Sequence, residues 1–225
     1  MTDEMGASAS DGGRPRQRRR ENNSNLRPAA FKCGPDYIDP MFHREIFGTV
    51  SSNTDLFFVQ ENTAVALAAQ RAQGCDLAVF EGVMGYYDGV GTGACASSYH
   101  VSHALEVPAL LVVDAKGAAF SLAALVKGFV DFRAKSQIRA VLLNRCSKPV
   151  YEMLKPVIER ECGVEVVGYL PQDEGISFSS RHLGLIPPKE VTRLKEKLAR
   201  LISTFEQTVD LDRLLALAKE APAVA

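Results

Sequence analysis

The sequence predicts an α/β fold, an open, doubly wound and mostly parallel sheet with helices on both faces. Three observations predict it. From Leu26 onward, short apolar runs rich in β-branched residues alternate with stretches of helical periodicity. The runs are apolar throughout rather than on every second residue, as expected of parallel strands covered on both faces. Every run also ends in polar or glycine-rich residues, and in such sheets the carboxyl ends of the strands are where ligands bind.

The elements follow in order. Residues 1–25 are dominated by Gly, Ser, Asn and Arg, with RPRQRRREN in the middle, and read as a disordered or aberrant N-terminal segment with almost nothing to bury. One domain is expected over residues 26–221. Its strands are PAAFKC (28–33), LAVFEG (77–82), ALLVVD (109–114), AVLLN (140–144) and VEVVGYL (164–170). Helical periodicity between them, at about 61–73, 97–105, 118–133 and 149–162, provides crossovers of the right-handed kind. Two further helices are expected near 188–206 and 210–219, and APAVA ends the sequence.

Composition sets bounds without naming a partner. The 225 residues are 46% apolar, and 26 basic residues face 27 acidic ones, which suits one medium-sized domain with a substantial core. The arginine cluster has no aromatic residues beside it and the rest of the chain is not basic, so nucleic acid is not expected as a partner. No run of about 18 apolar residues and no signal-like apolar region is present, so no membrane partner is expected and the protein reads as cytoplasmic. Cys33, Cys75, Cys95, Cys146 and Cys162 show neither CxxC pairing nor metal-ligand spacing, as befits reduced thiols.

The strand ends carry the candidate chemistry. After the first comes GPDYIDPMFH, where Pro35 and Pro40 stiffen a loop bearing Asp36 and Asp39. Two carboxylates three residues apart suit Mg2+ held jointly with phosphate oxygens; the same residues also suit turn capping. Glu81, followed by Gly82, is a third magnesium candidate. Gly85, Asp88 and Gly89 continue a tight loop, and GVGTGA (89–94) reads as a mobile lid rather than a phosphate cradle. Ser97 and Ser98 suit a helix N-cap. Asp114 and Lys116 suit a solvated loop as well as catalysis, and the Asn144 amide is positioned to recognise a purine edge. His43, His100, His103 and His182 are scattered and read as structural or surface residues.

With these residues in view, the chain resembles the cobyrinic acid a,c-diamide synthase family, whose synthetase half groups with dethiobiotin synthetase and the MinD/ParA-like P-loop proteins. FKCGPDYIDPMFH (31–43), VFEGVMGYYDG (79–89), PALLVVDAKG (108–117), VLLNR (141–145) and GYLPQDEGISFSSRHLGLIPPKE (168–190) carry the resemblance in order. It implies a P-loop NTPase-type sheet and an ATP- and Mg2+-dependent carbon–nitrogen ligase. The reaction is amidation of the a- and c-acetate carboxylates of cobyrinic or hydrogenobyrinic acid in cobalamin biosynthesis. Carried over by motif, Asp36, Asp39 and Glu81 would be catalytic and serve magnesium and the phosphates. Tyr37, Asp88 and Gly89 would face the corrinoid, and Asn144 and Pro171 would border the adenine of ATP. A homodimer is compatible with the resemblance.

Two departures stand out. The family's first strand runs into a G-x-x-x-x-G-K-[ST] loop that cradles phosphates, and nothing in these residues matches it. GASASDGGRPRQRRRENNSN (6–25) stands roughly where it belongs, so the first strand and P-loop are expected to be missing or degraded. The second is that the glutaminase domain, which the resemblance implies should begin near residue 225, is expected to be absent, so ammonia is expected from such a domain on a separate chain or from solution. The alternatives are a non-catalytic binding module that keeps the macrocycle surface, or another dethiobiotin synthetase-like ligase.

Overall fold

The computed structural model describes residues 26–176 and 193–223. Expectations for residues 1–25, for His182 and for a helix start near 188 lie outside these. Among the described residues, six strands and seven α-helices follow one another: β1 (Pro28–Cys33), α1 (Ile38–Glu45), β2 (Val50–Thr54), α2 (Glu61–Ala72), β3 (Leu77–Glu81), α3 (Ser98–Ala104), β4 (Ala109–Asp114), α4 (Ser121–Asp131), β5 (Ile138–Asn144), α5 (Lys148–Cys162), β6 (Glu165–Leu170), α6 (Leu194–Thr208) and α7 (Leu211–Ala218). The five expected strands are all present. The strands pair in parallel, as β2-β1-β3 and as β4-β5-β6, so the sheet is grouped as two triplets. The architecture is the parallel, P-loop NTPase-like α/β class that the sequence implies.

Two elements of the first triplet are new relative to the sequence reading. β2 is VSSNT, too polar to register as an apolar run, yet Ala29 to Cys33 of β1 pair with Val50 to Thr54 residue by residue. It lies at the edge of its triplet, where backbone pairing on one side suffices and polar side chains meet water. Helix α1 begins inside what reads as a proline-stiffened loop. Pro40 falls within its first turn, the position where a missing N–H costs nothing.

Each triplet has its own apolar centre. Around β1, Ala29, Phe31 and Cys33 pack with Ala64, Ala68, Val101 and Leu105, and the Phe31 and Phe80 rings stack at 4.7 Å. Around β5, Val141 and Leu143 pack with Val126 of α4 and with Leu154 and Ile158 of α5. At β6, a Cβ on Gly168 would fall 2.5 Å from the Thr208 carbonyl oxygen, so glycine permits the strand to meet the α6–α7 joint at the Gly168–Val209 bridge.

Among the described residues, β3 and β4 each pair with a strand on one side only. A cleft of about 1780 Å3 opens along these edges, lined by Leu77, Val79, Leu110, Val112 and, from α7, Leu214 and Leu217. Val79 and Val112 are 49% and 56% exposed, unusual for the interior edges of a parallel sheet. No helix among the described residues is long and apolar enough to cross a membrane.

Candidate functional site

The site begins with a lysine in the middle strand of the first triplet. Lys32 lies on β1 between Asn53 of β2 and Glu81 of β3. Its side chain is 6% exposed. A buried ammonium needs partners. It finds Asp39 Oδ2 at 2.5 Å, Glu81 Oε1 at 3.2 Å and the Gly82 carbonyl oxygen at 3.2 Å. The other Glu81 oxygen, Oε2, is 3.0 Å from His43 Nε2, and His43 Nδ1 is 3.2 Å from Ser51 Oγ. Both oxygens of Glu81 are thus held, one from β1 and one from α1.

Asp39 sits in the first turn of α1, where the helix end favours negative charge. Burial by itself would raise its carboxyl. The Lys32 ammonium outweighs that and, with hydrogen bonding to Asp36 and Glu81, holds the carboxyl below the ordinary range. Burial likewise works against the Lys32 charge, but hydrogen bonding to Asp39 and the charge of Glu81 raise the ammonium above its usual value.

The loop beneath is tied down. The Asn53 amide donates to the Gly34 and Asp36 carbonyl oxygens at 2.8 and 2.6 Å. Asp36 Oδ1 accepts from the Ile38 N–H at 2.9 Å, the capping role its position allowed. Asp36, Asp39 and Glu81 are therefore brought together, as their strand-end positions suggested. They do not make a protein-only metal cage: no cluster of three or more ligating His, Cys, Asp or Glu side chains occurs among the described residues, and the cation between Asp39 and Glu81 is Lys32. Two carboxylates do match what Mg2+ takes from a protein when phosphate oxygens and water complete its shell.

The remaining candidates fall in three places. Tyr37 is 69% exposed at the mouth of the β1 loop. Asp88 Oδ2 accepts from the Gly85 N–H at 2.9 Å, and a Cβ on Gly89 would lie 2.2 Å from the Cys95 carbonyl oxygen, so both residues hold a tightly folded loop. That loop is anchored on α4 by the Tyr87 hydroxyl, which donates to the Phe129 carbonyl oxygen at 2.7 Å. Ser97 caps α3, accepting from the His100 N–H, while Ser98 Oγ accepts from the Val83 N–H beside Gly82. Asn144 and Pro171 meet at the carboxyl ends of β5 and β6, in the second triplet, where Asn144 pairs with Leu170. The Asn144 side-chain oxygen accepts from the Arg145 N–H, and Arg145 pairs with Asp114, whose carboxyl this holds low.

Sequence reasoning missed Lys32 and the site role of His43. Each had a signal. A lysine inside an apolar strand must be partnered if the strand is central, and His43 stands four residues after Asp39, hence on the same helix face.

No protein-family model matches the chain. It is similar to curated proteins named cobyrinate a,c-diamide synthase. That of Caldanaerobacter subterraneus subsp. tengcongensis is 41% identical over 199 residues, 88% of this chain and 44% of that protein. That of Listeria monocytogenes serovar 1/2a is 41% identical over 197 residues, covering 86% and 44%. That of Streptococcus sanguinis is 41% identical over 192 residues, covering 84% and 42%. The chain thus spans under half the length of the curated relatives it matches. Similarity at this level over 85–88% of this chain and 43–44% of those proteins relates the chain, for that part of their length, to the cobyrinate a,c-diamide synthase family.

Proposed function

We propose that residues 26–221 form the synthetase unit of a carbon–nitrogen ligase, a part of the whole enzyme, which uses ATP to activate the a- and c-acetate carboxylates of cobyrinic or hydrogenobyrinic acid for amidation. The observation that carries this reading is the clamped pair Asp39 and Glu81, on neighbouring elements at the carboxyl edge of a parallel sheet. The family's name supplies the substrate.

A carboxylate is a poor electrophile at neutral pH. Transfer of the γ-phosphoryl group to an acetate oxygen gives an acyl phosphate and ADP; ammonia then attacks the carbonyl carbon, and phosphate leaves with the former carboxylate oxygen. Such chemistry needs alignment and charge neutralisation more than covalent help. Magnesium, when bound with the nucleotide, supplies that neutralisation, and Asp39 and Glu81, with Asp36 beside them, are the residues that would hold it. Lys32 pairs with both acids, holding them side by side and the Asp39 carboxyl below its ordinary range, and His43 fixes the second oxygen of Glu81. Tyr37, Asp88 and Gly89 border the corrinoid in this reading, and Asn144 and Pro171 border the adenine. Ammonia comes from a glutaminase domain, a separate chain or solution, and the setting is cytoplasmic.

The test uses a form in which a G-x-x-x-x-G-K-T segment replaces residues 6–25, incubated with ATP, Mg2+, ammonium and cobyrinic acid. Mass spectrometry should find one and then two acids converted to amides, with glutamine inert in place of ammonium. Corrinoid left unmodified by this form, with ATP intact, would count against the reading.

A further inference from the structure

Strands β1, β2 and β3 run parallel, so the segments that follow them leave from one edge. That edge carries the Lys32–Asp39–Glu81 group. It also carries bare large side chains: Tyr37 after β1 is 69% exposed, Phe57 and Phe58 after β2 are 63% and 70%, and Met84 after β3 is 76%. Single exposed apolar residues need no explanation, but several from three adjacent strand ends mark a contact surface.

The two phenylalanines are fixed in place. Leu56 just before them is buried in the first-triplet core, the Phe57 N–H donates to Asp55 Oδ1 at 2.9 Å, and the Phe58 and Val59 N–H groups both donate to the Asp55 carbonyl oxygen at 3.3 Å. Their rings meet edge to face with centroids 5.0 Å apart. Aromatic rings held outward by a stiff turn give a ligand face apolar contact at little ordering cost. Together with Leu56, Glu61 and His100 they line an open cleft of about 560 Å3. The cleft's polar wall is His100 Nε2 with Glu61 Oε1, 2.8 Å apart, and His100 Nδ1 accepts from the Ala96 N–H of the segment that also bears Asp88 and Gly89. Aromatic floor and polar wall thus share one cleft, and Phe57 and Phe58 follow β2 at the same sheet edge that carries the Lys32–Asp39–Glu81 group.

Resting on the corrinoid reading above, we propose that Phe57 and Phe58 are substrate-binding residues, the platform on which the broad apolar face of the macrocycle lies while a peripheral acetate reaches the strand-end acids. The occupant is a large flat ring bearing carboxylates at its rim, which matches an aromatic pair beside a charged edge; a small acid would leave both rings uncovered.

The experiment is equilibrium dialysis of cobyrinic acid, followed by its own absorbance, against the chain, a Phe57→Ala/Phe58→Ala variant and a Phe47→Ala control. Phe47 is 53% exposed between α1 and β2, toward the opposite edge. The double variant should bind at least tenfold more weakly, with its melting temperature and the control's affinity unchanged. If it proves misfolded by circular dichroism, Phe57→Leu/Phe58→Leu, which keeps bulk and loses the flat faces, should still weaken binding severalfold. Affinity equal to the parent's in a folded double variant overturns the platform and leaves the corrinoid reading standing. Failure of the parent chain to bind cobyrinic acid overturns that reading, and the platform with it.

Discussion

The Lys32 ammonium lies 2.5 Å from the Asp39 carboxylate although Lys32 belongs to a central strand and Asp39 to the helix that follows it. Removing one partner of a buried pair leaves the other charge uncompensated, which costs about 3–5 kcal/mol in full burial. Asp39 and Glu81 keep 30% and 45% of their side-chain exposure, so hydration offsets part of that. Lys32→Met should lower stability by about 1–3 kcal/mol, read as a lower urea midpoint. A midpoint equal to the parent's would remove Lys32 from its structural role.

The same pair sets an acid limb. Asp39 has its folded carboxyl below the ordinary value, so its contribution is full above about pH 4 and is lost as pH falls through the lower folded value. Asp39→Asn should flatten the fall in urea midpoint below about pH 4. An unchanged slope would contradict the pairing.

Burial pushes the Cys33 thiol up to about 11. Its proton is retained in the folded chain where the unfolded chain loses it, so the contribution is full below the usual thiol value and declines as pH rises toward about 11. At pH 8, Cys95, which is exposed, should react with a disulfide reagent in the native chain, whereas Cys33 should react only after unfolding. Mass mapping of the labelled cysteines checks the order.

Gly89 and Gly91 make a contrast within one loop. A Cβ at Gly89 meets backbone oxygen at 2.2 Å, whereas at Gly91 it meets open space at a φ of +62°. Gly89→Ala should therefore cost about 1–3 kcal/mol by overpacking, and Gly91→Ala only about 1 kcal/mol through backbone strain. Comparable melting temperatures for the two would be evidence against the tight fold of this loop.

Glu81→Gln keeps size and removes the charge facing Lys32. In the amidating form described above, turnover should fall about a hundredfold or more, as when a charge-stabilising group leaves a preorganised site. Steady-state rates at saturating ATP decide it.

How far the sequence could be read follows from what each signal depends on. Apolar runs marked β1, β3, β4, β5 and β6 because those strands contribute to the packed clusters. β2 gave no such run, since Ser51, Ser52 and Asn53 work through backbone pairing, His43 and the loop carbonyls. Asp36, Asp39 and Glu81 were legible because strand ends converge in any parallel sheet. Lys32 was not, because its importance appears only once β1 is known to lie between β2 and β3. Asn144 and Pro171 stand together, as adjacent strand ends must, but in the other triplet.

The two triplets also bear on how the molecule comes apart. β3 and β4 share no ladder among the described residues, and the Phe31 and Val141 clusters are separate. Backbone amides in each half should then be protected chiefly by that half's own opening equilibrium. Native-state hydrogen exchange should resolve two cooperative units, with β5 and α5, which rest on the larger cluster, exchanging last. A peptide strand hydrogen-bonded to both edges would couple the halves, and their amides would then exchange at one common rate.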